Sequence, residues 1–466
     1  MGRCKVSKFD ELKKAGMGVF LDTNVLDNHL YIFGRSGAGK TVLFKRIYSQ
    51  LKAQIILNNE KASIITHAIK DDLIAENFTQ NDFILNPYDE RGSDFNIMSL
   101  IEQEADVTAI ANAALNAVSS GSEDDKFWQD GGRDLFEGLL YMAIYVANID
   151  KTAKLDNFLL RNLKNLGIVA FATKLKDVAA QYPRAINALS RIEIVLEDPS
   201  NKTAKSFWDF FMMATKFLDV IKENNKNEEI DLDDLIYKPT GQTVFLANYT
   251  DIKDEIAPYL TIFLTLYIKK LLAKSEKIDT KTYFFLDELG NLGKVDKLEE
   301  LITLGRSKGG HVLLANQDIP RLEKIYGKEI LAAMLESCAT NIIMNVGKET
   351  AQYFEQLIGK KQVKRTDTSH TTAVFSERDS KGVNEKLVLE EVILASELNN
   401  FKTLEFVFKT LGTDWIHVQS KFEPKIDKYN EIAVGFDKTD RFNLNAKEII
   451  NKQKNEKWKK EVEDVV

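Results

Sequence analysis

Short apolar runs followed by helix-periodic stretches open this chain and return in its second half, and a long stretch with only helical periodicity lies between them. "HLYIF" (29–33) predicts a buried strand and "KTVLFKRIYSQLK" (40–52) a helix. "AQIILN" (53–58) and "ASIITH" (62–67) predict two short strands. "DFILNPYDERGSDFNI" (82–97) predicts a strand running into a polar turn around Asn86, Pro87 and Asp89. From Leu100 to Tyr237 strand signals vanish and helical segments follow one another with almost no proline. Within them, "SFWDFFMMATKFLDVI" (206–221) carries an aromatic and Met stripe that reads as helical core rather than a ligand surface.

After the polar stretch "KENNKNEEIDLDD" (222–234), alternation returns. "QTVFLANY" (242–249) predicts a strand, followed by a helix through Ala273. "TYFFLDEL" (282–289) predicts another, followed by a helix from Lys294. "HVLLANQD" (311–318) and "TNIIMNV" (340–346) predict two more, with helices between. Repeated β-α units imply an α/β domain with a mainly parallel, doubly wound sheet and an inserted all-α domain. The expected division is 1–99 for the first part of a nucleotide-binding domain, 100–237 for the insert, 238–440 for the second part, and 441–466 for a charged tail.

Composition narrows the class. The chain has 466 residues, enough for two or three domains, and is 44% hydrophobic and 29% charged, as a globular protein is. Its net charge of −7 means that any nucleic-acid contact comes from a local basic surface. "GKKQVKR" (359–365) offers Lys360, Lys361, Lys364 and Arg365, either as such a patch or as a solvated charge run. Cys4 and Cys338 lie far apart and fit a reducing compartment better than a disulfide framework. Five histidines lack metal-ligand spacing. "MGRCKVSKFDELKKAG" is charged where a secretory signal has its apolar core. The apolar runs "YLTIFLTLYI" (259–268) and "LLYMAIYVANI" (139–149) fall short of the roughly 20 residues that span a bilayer, and read as buried helices of a cytoplasmic protein.

The chemistry concentrates in "IFGRSGAGKT" (32–41), where Gly34, Gly39, Lys40 and Thr41 fit G-x-x-x-x-G-K-[ST]. In such a loop the backbone N–H groups wrap phosphates at the positive end of a helix. The expected cradle is Gly34, Arg35, Ser36, Gly37, Ala38, Gly39, Lys40 and Thr41. Lys40 would reach the β- and γ-phosphates of ATP, and the Thr41 hydroxyl would ligate Mg²⁺. "YFFLDEL" then places Asp287 and Glu288 at the C-terminal end of a buried strand, where open α/β sheets bind ligands. Asp287 would hold the metal shell and Glu288 would polarise the attacking water, although either acid alone could cap a helix. Gln317, at the end of the next strand, is either a γ-phosphate sensor or a turn residue. Arg306 in "LGRSKGGH" is either an arginine finger acting on a neighbouring subunit or a charge on a helix dipole.

"FFLDELGNLGKVDKLEELITLGRSKGGHVLLANQDIPRLEKIYG" resembles the signature region of the type IV coupling proteins, the ring ATPases of bacterial conjugation and type IV secretion. "ILNPYDERGSDFN" resembles that family's Asn-Pro-x-Asp-x-Arg stretch through Asn86, Pro87, Asp89 and Arg91. "KFWQDGGRDLFEGLL", with Phe127 and Trp128, resembles the start of its all-α domain. "TAQYFEQLIGKKQVKR" (350–365) and "VILASELNNF" (392–401) resemble its C-terminal part, so the likeness runs from about Lys8 to Val418.

The resemblance implies a RecA-like motor domain in a homo-hexamer around a channel. Such a ring would use ATP to drive relaxase-bound single-stranded DNA, double-stranded DNA being the variant case, and protein substrates toward the secretion components. It would stand at the cytoplasmic face of the bacterial inner membrane. By residue matching, Lys40 and Thr41 take the phosphate and Mg²⁺ roles, Asp287 and Glu288 the acidic pair, Gln317 the sensor and Arg306 the finger. The alternatives are an ATP-gated platform docking relaxase or effectors without moving DNA, and a soluble DNA pump of the segregation or packaging type. Two features depart from the family pattern. "SKFDELKKAGMGVFLD" (7–22) resembles what normally follows a membrane anchor, so membrane contact is expected through a missing anchor or a partner. "THAIKDDL" (66–73) has His67 near a usually acidic position.

Overall fold

A computed structural model of the chain describes residues 26–69, 72–118, 126–221, 227–371 and 380–420. The strands in chain order are β1 (Leu30–Phe33), β2 (Ala62–Ala68), β3 (Phe83–Leu85), β4 (Thr243–Ala247), β5 (Lys281–Asp287) and β6 (Gly310–Asn316). They continue with β7 (Thr340–Ile343), β8 (Lys360–Thr371), β9 (Ser380–Glu391), β10 (Glu405–Lys409) and β11 (Ile416–Gln419). The described residues fall into two compact units: 26–53, 288–290 and 311–420 in one, 54–287 and 291–310 in the other.

In the first unit the strand order is β11-β10-β7-β1-β6. β1 runs parallel to both neighbours, with Leu30 opposite Leu313 of β6 and Thr340 of β7. β10 pairs antiparallel with β7 and with β11. In the second unit the order is β5-β2-β4-β3, all parallel, with Ile64 opposite Tyr283 and Thr243. β1, β2 and β4 are buried along their whole length, as apolar strands of a parallel sheet covered on both faces must be. The architecture is the expected mainly parallel, doubly wound α/β fold with a helical portion.

One predicted strand is a helix. "AQIILN" forms the last turns of the helix Lys40–Asn58. Phe44, Ile47, Tyr48, Leu51 and Ile55 recur at helical spacing and are all buried, whereas Ile56 and Leu57 are 65% and 83% exposed. Only Ile55 of the apolar triplet belongs to the buried face, so its β-branched character misleads. The helix expected from Lys294 begins instead at Leu298, after a 3-10 turn at Leu289–Asn291. Lys297, with φ +68°, takes a left-handed conformation that keeps the preceding residues out of the helix.

Between Ser93 and Gly241 the described residues contain helices and turns but no strand. The stripe at 206–221 is core: Phe207, Phe211, Phe217 and Leu218 are buried, and the Phe211 ring packs on Phe136, Phe171 and Trp208. Lys164 is fully buried there, and its ammonium donates to Asp219 at 2.6 Å and to the Thr215 carbonyl at 3.3 Å. The helix Lys253–Ala273 is long and apolar enough to cross a membrane by length and composition. It is also 78% buried over that stretch, packed within its unit as a core helix.

β8 and β9 form a two-stranded antiparallel ribbon in the first unit, with Gln362 opposite Leu389 and Lys364 opposite Leu387. Lys360, Lys361 and Lys364 are exposed, and Lys360 pairs with Glu391 across the strands at 3.0 Å. The side chain of Arg365, Cys4, the segment 7–22 and the tail 441–466 lie outside the described residues.

Candidate nucleotide site

The loop after β1 is pinned from both sides within the first unit. Gly34 N–H donates to the Asn316 carbonyl at 3.1 Å, and Arg35 N–H to the Asn345 carbonyl at 2.7 Å. Ala38 N–H closes a turn back onto the Arg35 carbonyl at 3.1 Å. The helix starts at Lys40, so its first N–H groups, which have no partner inside a helix, point into the loop together with the positive end of the helix dipole. Gly39 has φ +97°, and a Cβ there would stand 2.5 Å from the Leu404 side chain.

Leu404 is part of a backing that sequence reading missed. Its N–H donates to the Ala38 carbonyl at 2.8 Å, and the Thr403 hydroxyl donates to the Gly37 carbonyl at 3.1 Å. Leu404 itself is held at φ +60°. No spacing rule links these residues to the loop; only the fold does.

Glu288 follows β5 and is seated by backbone and side-chain bonds. Its N–H donates to the Ala315 carbonyl at 2.7 Å, and Leu289 N–H donates to Asn316 Oδ1 at 3.1 Å. Its φ of +51° is a conformation that a non-glycine residue keeps only when its surroundings impose it. Lys40 and Glu288 are each 7% exposed, and Lys40 Nζ donates to Glu288 Oε2 at 3.1 Å. The glycine-rich loop and the strand-end acid predicted from sequence therefore meet in a buried ion pair. A buried carboxylate and ammonium are stable only when paired, and separating them without a substitute is costly.

Arg321, which sequence reading did not single out, joins them. Its Nη1 lies 3.8 Å from Glu288 Oε1, and its Nη2 donates to the Gly290 carbonyl at 3.0 Å. The signal that could have found it is its place four residues after Gln317, one turn into the helix Ile319–Tyr326. Gln317 is exposed directly after β6. The cap of that helix is Asp318, whose carboxylate accepts from Arg321 N–H at 3.0 Å.

In the second unit, Asp287 ends β5 half-buried. Its carbonyl accepts from His67 Nδ1 at 2.6 Å. His67 is completely buried, and burial, opposed by that hydrogen bond, brings its pKa from the ordinary 6.5 down to about 4. The imidazole is thus neutral in the folded chain. Between pH 6.5 and 4 the unfolded chain binds a proton that the folded chain excludes, so stability falls as pH drops through that window. The loss attributable to His67 is about 3 kcal/mol, read as the difference between wild type and His67→Asn in denaturant titrations from pH 7 to 4. Equal slopes for the two proteins would overturn it.

Arg306 is exposed on the 3-10 turn Gly305–Lys308 of the second unit, immediately after the helix Leu298–Leu304. The turn around Asn86 is structural: fully buried Asp89 accepts two bonds from the Arg91 guanidinium, at 2.9 and 2.8 Å, and Asn86 donates to the Ala247 carbonyl.

A parallel α/β fold with a strand, a glycine-rich loop, a buried lysine at the start of a helix and an acid at the end of another strand defines a P-loop protein of the RecA-like kind. Residues 14–419 match the family model of the type IV secretion-system coupling protein DNA-binding domain, and the chain belongs to that family. The coupling protein TraD of Escherichia coli (strain K12) is 21% identical over 408 residues, which is 86% of this chain and 53% of that protein. The chain thus spans about half the length of this curated relative. Solved structures of the plasmid coupling protein TrwB share the fold. Its complex with the non-hydrolysable ATP analogue ADPNP has a TM-score of 0.70 and 17% identity, covering 91% of each chain. The unbound TrwBdeltaN70 form has a TM-score of 0.67 and 18% identity over 90% of each chain.

Proposed function

We propose that this chain is an ATP-driven DNA translocase that couples relaxase-bound single-stranded DNA, and protein substrates with it, to a type IV secretion channel. The observation that carries the reading is the buried Lys40–Glu288 pair, which joins the glycine-rich loop to a strand-end acid. The left-handed Gly37 and Gly39, at φ +83° and +97°, and the helix start at Lys40 fit a cradle for phosphate oxygens. TrwB has been solved with ADPNP and with ADP and Mg²⁺.

In this chain the backbone of Gly34 to Thr41 holds the phosphates of ATP, and Lys40 exchanges Glu288 for the β- and γ-oxygens. Thr41 and Asp287 are the residues that would hold Mg²⁺, which when bound screens phosphate charge. Glu288 orients and polarises water, and Gln317 senses the γ-phosphate. Arg306, exposed on its turn, serves the nucleotide of a neighbouring subunit in a homo-hexamer. DNA is held through its backbone, with little sequence preference and strong salt dependence. The division of the chain into a split nucleotide-binding domain and an all-α insert, and its place at the cytoplasmic face of the inner membrane, belong to the same proposal.

The test is ATP hydrolysis by the purified chain with and without single-stranded DNA, across protein concentration. A motor shows DNA stimulation that rises steeply with protein concentration and disappears in Lys40→Ala and Arg306→Ala. Nucleotide binding with negligible turnover, unchanged by DNA where rings are visible, would replace the motor with a docking platform.

A further inference from the structure

We infer that Arg321 is a positioning residue acting in cis, which takes over the Glu288 carboxylate when Lys40 leaves it for the phosphates. The inference rests on the nucleotide-binding reading above. Glu288 has two oxygens and two cations beside it: Oε2 accepts from Lys40 Nζ at 3.1 Å, and Oε1 stands 3.8 Å from Arg321 Nη1. Lys40 cannot serve the carboxylate and an incoming phosphate equally well, and a buried carboxylate that loses its partner is strongly destabilised. Something must receive it.

Arg321 is built to do so, because Glu288 is not what holds it in place. Its Nη2 donates to the Gly290 carbonyl at 3.0 Å, and its own N–H donates to Asp318 at 3.0 Å. A Cβ at residue 290 would stand 2.6 Å from Arg321 Nε, so the missing side chain of Gly290 is what lets the guanidinium lie against the loop that carries Glu288. At 3.8 Å the contact to Oε1 is longer than a hydrogen bond and leaves room to tighten. The planar fork can keep donating to the Gly290 carbonyl from one nitrogen while donating to the carboxylate from the other, which a lysine cannot do with the same geometry. Its side chain is 46% exposed, so it remains hydrated while Lys40 holds the acid.

The exchange makes Arg321 matter for nucleotide affinity through Glu288, and for turnover by keeping Glu288 oriented. The experiment measures the affinity of the full chain for a fluorescent non-hydrolysable ATP analogue, together with kcat, in wild type, Arg321→Gln, Arg321→Lys, Glu288→Gln and Arg321→Gln/Glu288→Gln. Arg321→Gln is expected to weaken analogue binding about three- to tenfold, and to have no effect on it in the Glu288→Gln background. Arg321→Lys restores part of the affinity and part of kcat. Equal weakening in both backgrounds would mean that Arg321 acts on the phosphates or the fold, and would overturn the inference, as would unchanged affinity in Arg321→Gln. Should the wild type bind the analogue yet fail to turn over ATP with DNA present, the motor reading falls while the affinity comparison still decides the role of Arg321.

Discussion

Glu288→Gln is expected to turn ATP over about a hundredfold to ten-thousandfold more slowly than the wild type, the range for removing a general base. Binding of ATP should be as tight as in the wild type or tighter. The amide is nearly isosteric with the carboxylate, so the hydrogen bond from residue 288 N–H to the Ala315 carbonyl is kept. What disappears is the negative charge that competes for Lys40, whose ammonium now sits 3.1 Å from Glu288 Oε2. The signature is a fall in kcat without a rise in KM, the mark of an interaction used in the transition state. A loss of turnover smaller than about tenfold would mean that another group activates the water.

The second large effect is at Gly39, where the loop meets Leu404. Gly39→Ala should weaken nucleotide binding by more than about tenfold, because it forces a side chain into a backbone conformation that costs of order 1–3 kcal/mol. The structure adds a collision: the new Cβ would meet Leu404 at 2.5 Å, with the Leu404 N–H only 2.8 Å from the Ala38 carbonyl. The loop and its backing must therefore move apart. Leu404→Ala, added to Gly39→Ala, relieves the collision but not the backbone strain, so affinity should return in part. Titration calorimetry on the single and double variants decides this. Wild-type affinity in Gly39→Ala would show that the loop does not need its left-handed glycine, and no recovery in the double variant would remove Leu404 from the account.

The parts of this site that the sequence makes legible are those whose geometry is local. Gly34 to Thr41 lie on one turn of chain, and their spacing alone states what they can cradle. Glu288 is found because four apolar residues before an acid describe the end of a buried strand. The meeting of Lys40 and Glu288 is legible only through the fold, since the two residues stand 248 positions apart in the chain. Beyond that, periodicity carries no information about partners distant in sequence. Thr403 and Leu404 support the loop by backbone bonds that no side-chain pattern announces. Arg321 looks like an ordinary residue in the first turn of a helix until Gly290 is seen beneath it. His67 stands out in the sequence near a usually acidic position, but its bond to the Asp287 carbonyl is a product of register between β2 and β5. The misread strand at 53–58 has the opposite cause: a short apolar run is ambiguous, and the buried face of the helix before it had already decided its conformation.

The ribbon of β8 and β9 bears on how the protein behaves at high concentration. β8 and β9, twelve residues each, form a two-stranded sheet, so each strand has an outer edge. Such edges recruit strands from other molecules unless something discourages them. The exposed Lys360, Lys361 and Lys364 put charge along β8, where an approaching edge would have to strip their water. Leu387 and Leu389 on β9, 66% and 63% exposed, lack that protection. Self-association of the purified protein should therefore begin at β9, and Leu387→Lys or Leu389→Lys is the substitution with which to suppress it.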